Sequence, residues 1–395
     1  MFASGVIAIA RATRQHEAHD VTALVDDLLA RGLTAGATDL HFEPTGGEML
    51  VRLRIDGQLL DFETVPKRLS ENVLSRLKVL ASLLTYRVDI PQEGSVQWPE
   101  AHGDGQQEPV DLRIATFPTI RGERAVVRVF GHRSDLNALD RLGLPPEQWS
   151  ALGQAVMRPD GLIVVTGPAG SGKTTTQYAM IRHLAANASE RSVITLEDPV
   201  EQRIDRVTQI QINPYGELDY ERCMRSLLRQ DPQVILIGEV RDSRTAGIAI
   251  EAALTGHLIL TTMHSADPAE TILRFLDMGI APYQLVSALT MVCSQRLLRR
   301  TCHECDLDSR AACQRCLGTG YSGRTAVAQL ARIDEPTRRL MLQSPTTTQL
   351  RARFKKQGPD LLECAGLLVT GGITDEAEVA RVLGSGVPEI EERAR

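Results

Sequence analysis

The feature that most constrains the fold is the segment LIVVTGPAGSGKTTT (residues 162–176), in which an apolar run passes directly into a glycine-rich turn. The turn matches the pattern G-x-x-x-x-G-K-[S/T] through Gly167, Gly172, Lys173 and Thr174. Glycines allow backbone N–H groups to surround phosphates, and the N-terminus of the following helix adds a positive dipole. The segment therefore predicts a phosphate-binding loop between a buried strand and a helix, with Lys173 on the β and γ phosphates and Thr174 on magnesium.

Apolar runs alternate with helical stretches from residue 162 onward. The runs are LIVVT, SVITL, QVILIG and HLILTT (162–166, 192–196, 233–238 and 257–262). This alternation predicts an α/β domain with a mostly parallel sheet covered by helices on both faces. Only five of the 44 basic residues are lysines, and Lys173 is the only lysine between Val79 and Lys355. A compact ammonium group is therefore expected to be needed at this position.

Acidic side chains follow two of these runs. Glu197 and Asp198 follow SVITL, and Glu239 follows QVILIG. Because the carboxyl ends of parallel strands meet at one edge of a sheet, we expect these acids beside the phosphate-binding loop. Phosphoryl transfer needs acids near the metal ion and a group that orients water, although either acid alone could be a helix cap. His257 and His264 flank the next strand, and a single histidine is more often structural.

The first third of the chain predicts a small α+β domain. Its pattern indicates a helix at 20–32 capped by Asp20, a hairpin at 49–62 turning at Asp56-Gly57, a second helix and two further strands. Residues 131–148 are typical of a linker, and 334–383 are expected to be nearly all helical. We predict these segments: 1–19 extension; 20–133 α+β domain; 134–148 linker; 149–298 ATPase core; 299–325 tetracysteine segment; 326–395 helical C-terminal region.

Composition excludes some functional classes. The net charge of −6 and the pI near 5.9 argue against a protein held mainly by bulk attraction to nucleic acid. No window contains the eighteen apolar residues that a membrane span needs, and the N-terminus does not match a secretory signal. We therefore expect a cytoplasmic protein with reduced thiols. Under that expectation, the two C-x-x-C pairs at residues 302–316 are a metal site or a redox pair more readily than two disulfides.

Several motifs in this order resemble the assembly and secretion ATPases of type II secretion and type IV pilus systems. They are the glycine-lysine loop, LEDPVE (196–201), the run LRQDPQ to TTMHSAD (228–267) and the paired cysteines. The segments TDLHFEP, VRLRIDG and VDLRIATFPTIRGERAVVRVF resemble the domain that precedes the ATPase core in this family. The resemblance covers residues 20–383. It implies a RecA-like P-loop NTPase domain preceded by a PAS-like α+β domain and followed by a zinc-binding insert and a helical region.

The resemblance also implies a function. It implies a homohexamer that hydrolyses ATP with Mg²⁺ to power pilus or pseudopilus assembly, at the inner membrane beside a polytopic platform protein and without direct nucleic-acid binding. Catalytic positions carried over are Lys173, Glu197, Glu239, Arg113, Arg128, His257 and His264. Nucleotide-binding positions are Gly167, Pro168, Ala169, Gly170, Ser171, Gly172, Lys173, Thr174, Thr175, Asp198, Arg225, Arg229, Arg241 and Arg274.

The family also bears on the cysteines. Members that assemble fibres or drive secretion carry a paired C-x-x-C zinc site, which retraction motors typically lack. The resemblance therefore implies a closed structural Zn²⁺ site at Cys302, Cys305, Cys313 and Cys316. Many members also have a further N-terminal docking domain. Because only residues 1–19 precede the matched region, the resemblance does not carry that docking mode over to this chain.

Two other functions share parts of this pattern. A RecA-like nucleic-acid translocase or DNA-uptake motor has the same sheet, and DNA should then stimulate its ATPase activity. The aromatic content of 4% and the acidic charge argue against the stacking surfaces that such a protein uses. A regulatory protein that binds ATP without hydrolysing it would not need the acids after the strands.

Overall fold

The protein is described from a computed structural model that covers residues 20–98, 110–130, 138–212, 220–305 and 313–384, without the side chains of Glu221 and Arg225. The chain divides into two compact units. The first comprises Met1–His132 with Cys302–Gly323, and the second comprises Arg133–Thr301 with Arg324–Arg395. No helix in the described ranges is both long and apolar enough to cross a bilayer.

The first unit contains an antiparallel six-stranded sheet in the order β3-β2-β1-β6-β5-β4. The predicted hairpin at Asp56-Gly57 is confirmed, and both turn residues have positive φ, as a tight two-residue turn requires. The predicted first helix is also confirmed, with Asp20 accepting from the N–H of Ala23. The elements are α1 Val21–Thr34, β1 Asp39–Pro44, β2 Glu48–Ile55, β3 Gln58–Pro66, α2 Lys67–Leu80, β4 Gln92–Trp98, β5 Val110–Thr119 and β6 Gly122–Phe130.

Helices α1 and α2 pack on one face of this sheet, and the other face carries arginine side chains. Leu112 and Ile114 of β5 are buried in the core of the first unit, as is Val127 of β6. Because side chains alternate along a strand, Arg113 and Arg128 lie on the opposite face. The sheet therefore displays both predicted arginines on the side away from its own core.

The second unit contains a seven-stranded sheet in the order β13-β12-β7-β11-β10-β8-β9. The six strands from β12 to β9 pair in parallel, which confirms the predicted mostly parallel sheet. The strands are β7 Gly161–Thr166, β8 Val193–Glu197, β9 Thr208–Gln211, β10 Val234–Ile237, β11 Leu258–Met263, β12 Leu289–Thr301 and β13 Tyr321–Arg332.

Helices cover both faces of this sheet, as the apolar runs predict. Along β7, Leu162 and Val164 belong to one hydrophobic cluster, whereas Ile163 and Val165 belong to another on the opposite face. Burial on both faces explains why these strands are continuously apolar. The helices are α3 Pro146–Val156, α4 Lys173–Asn187, α5 Tyr220–Leu227, α6 Ser243–Leu254, α7 Pro268–Asp277, α8 Pro282–Ala288, α9 Glu335–Met341, α10 Thr347–Lys355, α11 Leu361–Thr370 and α12 Glu376–Leu383.

The predicted linker does not remain extended over its described part. A short 3-10 turn at Leu139–Arg141 and the start of α3 lie within it. Leu139, Leu142 and Leu144 are buried in the second unit, because these leucines are the apolar members of an otherwise polar segment. The prediction that residues 334–383 are nearly all helical is confirmed by α9 to α12, with breaks near Pro345, Gly358-Pro359 and Gly371-Gly372. Residues 326–332, predicted to open the helical region, instead belong to β13, because this run is buried as the edge of the second sheet.

Candidate functional site

The glycine-lysine loop joins β7 to α4 directly. The strand ends at Thr166 and the helix begins at Lys173, which is the strand–loop–helix context that the motif requires. Gly172 has φ 85°, and a Cβ atom there would lie 2.8 Å from Nε2 of Gln295. Glycine is therefore required at this position for both its backbone conformation and its packing.

The ammonium group of Lys173 lies over the loop. Its Nζ donates to the carbonyl oxygens of Gly167 at 2.9 Å and Pro168 at 3.0 Å. Burial lowers the pKa of Lys173 from its ordinary value, while the carboxylate of Glu239 opposes that shift. The next residue, Thr174, lies in the first turn of α4 and is partly exposed. A cation and a hydroxyl thus stand at the positive end of a helix, as a phosphate site requires.

A residue that sequence reasoning missed supports the loop from behind. Gln295 on β12 accepts a hydrogen bond from Thr176 Oγ1 at 2.7 Å and donates to the carbonyl oxygen of Ser171 at 2.8 Å. It is 1% exposed. Because Gln295 lies 119 residues from Thr176, no local pattern could have identified it.

Glu239 lies just after β10 and is surrounded by basic side chains. Nε of Arg241 is 2.8 Å from its Oε1, and Nη2 of Arg241 donates to Oε2 at 3.0 Å. Nε2 of His264 is 3.4 Å from the same Oε1. Burial alone would raise the pKa of Glu239, but Arg241, His264 and Lys173 together lower it. The carboxylate is therefore held ionised beside the Lys173 ammonium.

His264 follows β11 at the same edge of the sheet. Nη1 of Arg274 donates to its backbone carbonyl oxygen. Burial lowers the pKa of His264, and the charge on Lys173 lowers it further, which favours the neutral ring. The next residue, Ser265, donates its N–H to Thr166 Oγ1 at 3.1 Å, so this segment is fastened to the end of β7.

His257 is not brought to this edge. It precedes β11, and its carbonyl oxygen accepts from the N–H of Gly161 at the start of β7. Its Nδ1 lies 3.0 Å from the carbonyl oxygen of Ala252. The six residues of β11 separate the two histidines by about 20 Å. Residues that flank one strand lie at opposite edges of the sheet, so the structure does not bring His257 to the edge where Lys173, Glu239 and His264 lie.

Glu197 ends β8 and is 3% exposed. Its carboxylate accepts hydrogen bonds from the hydroxyl of Tyr178, from Thr195 Oγ1 at 2.6 Å and from Gln209 Nε2 at 3.1 Å. The following Asp198 is exposed. Sequence reasoning identified the acid but none of its three donors.

The pKa of the Tyr220 phenol is raised by its surroundings at this edge of the sheet. Burial raises the pKa of its phenol to about 12, and the next largest contribution comes from Asp198. Glu239 and Glu197 raise that pKa further, whereas Arg241 lowers it. The phenol lies at the edge of the sheet where β8 and β10 end, because a Cβ atom at Gly238 would be 3.2 Å from the Tyr220 hydroxyl and 3.2 Å from the carbonyl oxygen of Leu196.

The remaining predicted arginines fall in different places. Arg229 is exposed just after α5, and the side chain of Arg225 in α5 lies outside the described residues. In the first unit, Arg113 and Arg128 face each other directly across β5 and β6. Arg113 pairs with Glu93, and Nε of Arg128 is 2.8 Å from Oδ1 of Asp39. Contact of this pair with nucleotide stays a prediction.

The four cysteines form one cluster in the first unit. Their sulfur atoms all lie within 4.8 Å of one another, with Cys302 and Cys313 3.9 Å apart and Cys305 and Cys316 3.6 Å apart. A tetrahedral zinc ion with Zn–S bonds of about 2.3 Å places its sulfurs about 3.8 Å apart. The N–H of Gly320 points at Cys316 Sγ at 3.3 Å, as backbone donors around metal thiolates do. The donor set therefore fits zinc.

Comparison with known proteins identifies similar sequences over most of the chain. Residues 14–381 match the family model described as Type II/IV secretion system protein. The chain is 36% identical over 380 residues to the type IV pilus assembly ATPase PilB of Thermus thermophilus, covering 90% of this chain and 42% of that protein. It is 37% identical over 368 residues to the type II secretion system protein HxcR of Pseudomonas aeruginosa, covering 92% and 77% of the two chains.

Solved structures show the same fold. The ATPase DotB of Yersinia pseudotuberculosis superposes with a TM-score of 0.72 at 23% identity, covering 93% of this chain and 95% of that one. The pilus retraction motor PilT with bound ADP superposes with a TM-score of 0.65 at 23% identity, covering 93% and 99%. At this level of identity the likeness extends to the fold alone.

Proposed function

The chain belongs to the type II/IV secretion system protein family, and on that premise we propose that it is a motor ATPase that powers assembly of a type II pseudopilus or a type IV pilus. One observation carries the ATPase assignment. Lys173 follows β7 and Glu239 follows β10, and both strands pair in parallel with β11, so the ammonium and the carboxylate lie at one edge of the sheet. A cation for phosphate and a carboxylate for metal and water are the parts that phosphoryl transfer needs.

The proposal assigns a role to each group. Lys173 and the loop N–H groups bind the β and γ phosphates, and the Thr174 hydroxyl is a magnesium ligand. The carboxylates of Glu239 and the exposed Asp198 would bind a hard cation directly or would accept hydrogen bonds from the water molecules that it holds. Bound Mg²⁺ would neutralise charge on the phosphates during transfer. Glu197 orients the attacking water, and neutral His264 lies beside the γ phosphate.

The test is ATP turnover by purified protein, compared with Glu239→Gln. We expect the variant to bind ATP but to lose about 10²- to 10³-fold in kcat, because removal of one preorganised electrostatic group has effects of this size. Glu251→Gln is the matched control, since Glu251 is exposed on α6 away from this edge. Absence of turnover in the unmodified protein would contradict the proposal, and turnover that requires DNA would favour a nucleic-acid motor.

We extend the proposal to the assembly. The family relationship supports a homohexamer, peripheral association with the inner membrane and a polytopic platform protein as partner, and a PAS-like character for the first unit. Affinity capture from native membranes should recover the platform protein and pilin-like subunits. Recovery of nucleic acid in place of membrane proteins would contradict this assignment.

We also propose that the cysteine cluster holds one structural Zn²⁺ ion. Cys302, Cys305, Cys313 and Cys316 supply four thiolates, which leaves no open position for chemistry. The ion would cross-link a segment whose described part is also joined by the backbone hydrogen bond from the Cys302 N–H to the Gly320 carbonyl oxygen at 2.8 Å. Its contribution is therefore to the fold of the first unit.

Elemental analysis should find one zinc ion per chain, and Cys305→Ser should lose the ion and lower Tm. The matched control is Cys364→Ser, because Cys364 is buried in the second unit and bonded to the carbonyl oxygen of Ala328 at 3.3 Å. This control should keep its zinc. Reduced protein that takes up no zinc when the metal is supplied would contradict the proposal.

A further inference from the structure

The hydroxyl of Tyr178 joins the helix of the phosphate-binding loop to both ends of the acidic loop, which we define as residues 197–202. Tyr178 lies on α4, five residues after Lys173, and is 2% exposed. The hydroxyl donates to Oε2 of Glu197 at the start of the acidic loop. It accepts the N–H of Glu201 at 3.1 Å and, at 3.5 Å, the N–H of Gln202 at the other end. A single oxygen atom therefore fastens the whole acidic loop to α4.

The direction of these hydrogen bonds is determined by their surroundings. Burial raises the pKa of the Tyr178 phenol well above its usual value, and the adjacent Glu197 carboxylate raises it further. The phenol therefore stays protonated and is a donor to Glu197. Backbone N–H groups can only donate, so they occupy the lone pairs of the hydroxyl oxygen.

The tyrosine ring is itself held in place. It packs within the hydrophobic cluster that contains Ile181 and Leu184 of the same helix. The guanidinium of Arg182 lies over the ring at 5.6 Å from its centroid, and Nη2 of Arg182 donates to Oε1 of Gln202 at 2.9 Å. The ring and the acidic loop are thus fixed to each other by two independent contacts, and neither can shift alone without breaking one of them.

The acceptor capacity of Glu197 gives this arrangement a consequence for catalysis. An ionised carboxylate offers about four lone-pair positions. Tyr178, Thr195 and Gln209 fill three of them. The donors among the described residues leave about one acceptor position, and its direction is determined by the other three. A carboxylate oriented in this way can align one water molecule.

From this geometry we propose that Tyr178 is a positioning residue of the ATPase site, which holds Glu197 and the acidic loop in register with the phosphate-binding loop. This inference rests on the proposed ATPase function. Because Lys173 and Tyr178 share α4, any movement of the phosphate-binding loop carries the acidic loop with it. The Tyr178 hydroxyl acts through Glu197 and does not itself touch nucleotide.

A double-mutant cycle on the full chain tests the proposal. Tyr178→Phe should lower kcat for ATP about 10- to 100-fold with KM changed by less than about twofold. In a Glu197→Ala background the same change should have no further effect on kcat, because the tyrosine acts through that carboxylate. Tyr283→Phe is the matched control, since Tyr283 is exposed on α8 and its ring is 66% accessible.

A purely structural role predicts a different pattern. Tyr178→Phe would then lower Tm while kcat below the melting temperature stayed unchanged, or its effect would add to that of Glu197→Ala. Either result overturns the proposal. If Tyr178→Phe does not fold, Gln209→Leu removes another donor to the same carboxylate from the partly exposed edge strand β9. The kcat of Gln209→Leu should also be lower than that of the unmodified protein. Adding Gln209→Leu to Glu197→Ala should have no further effect on kcat.

Failure of the proposed function would be recognised separately. If the unmodified protein does not hydrolyse ATP, the ATPase assignment itself is wrong. If it does and Tyr178→Phe matches it in kcat, only the positioning role is wrong. The two failures therefore appear in different samples of one assay.

Discussion

Arg113→Ala and Arg128→Ala are each expected to lower kcat for ATP by about 10³- to 10⁵-fold while ATP binding is retained. An arginine that reaches the γ phosphate stabilises charge that develops only in the transition state, which corresponds to roughly 4 to 7 kcal/mol. This expectation rests on the family resemblance, which implies that arginines at these two positions reach the phosphates. Steady-state turnover and ATP binding by calorimetry are the measurements.

The structure explains how two guanidinium groups can share one patch of sheet. Arg113 and Arg128 lie directly opposite each other across β5 and β6, an arrangement that repulsion would ordinarily disfavour. Glu93 neutralises one and the buried Asp39 the other. The neighbouring carboxylates thus offset the repulsion between the two guanidinium groups on the face that is not covered by the helices of the first unit.

Two comparisons sharpen this prediction. Arg128→Lys should recover only part of the lost rate, because an ammonium keeps the charge but not the planar fork of donors. Arg87→Ala is the control, since Arg87 is partly exposed and its side chain pairs with Asp89 on the same loop. Near-normal turnover in both Arg113→Ala and Arg128→Ala would remove this pair from the mechanism.

Lys173→Ala is expected to lower kcat/KM for ATP by about 10³-fold or more, through both weaker binding and slower transfer. The ammonium is the cation that lies over the loop, bonded to the carbonyl oxygens of Gly167 and Pro168. We expect Lys173→Arg to fail almost as completely. Its larger planar group does not fit a position buried to 9% exposure, although arginine is abundant elsewhere in the chain.

Lys356→Ala is the control for this pair of variants, because Lys356 is exposed at the end of α10. Turnover and nucleotide affinity should match those of the unmodified protein. If Lys173→Arg kept normal turnover, the requirement for a compact ammonium would be wrong. If Lys173→Ala kept normal ATP affinity, the loop would not be the phosphate site.

Several parts of the site could be predicted because each depends on a short stretch of chain. The glycine-lysine loop is one, since the backbone conformation of Gly172 and the apolar run before it are local properties. The placement of Glu197 and Glu239 at one sheet edge is another, because parallel strands put the residues that follow them side by side. The roles of the individual residues came from the family resemblance, because hydrophobic periodicity carries no information about them.

Other parts could not be predicted because their partners are far away in sequence. The Gln295 side chain bonds to Thr176 across 119 residues, and the three donors to Glu197 come from α4, β8 and β9. The separation of His257 from His264 has a simpler reason. A motif that contains both histidines says nothing about the strand length that separates them, and β11 carries them to opposite edges.

By itself, the amino-acid sequence determined the fold class, the phosphate-binding loop, the positions of the acids and the four cysteines of the cluster. Each of these follows from hydrophobic periodicity, glycine conformation or close spacing, which act over a few residues. Only the tertiary structure decided which groups orient them. Hydrogen bonds depend on distances of about 3 Å and on direction. Contacts such as those of Tyr178 and Gln295 therefore exist only after distant strands and helices have packed together.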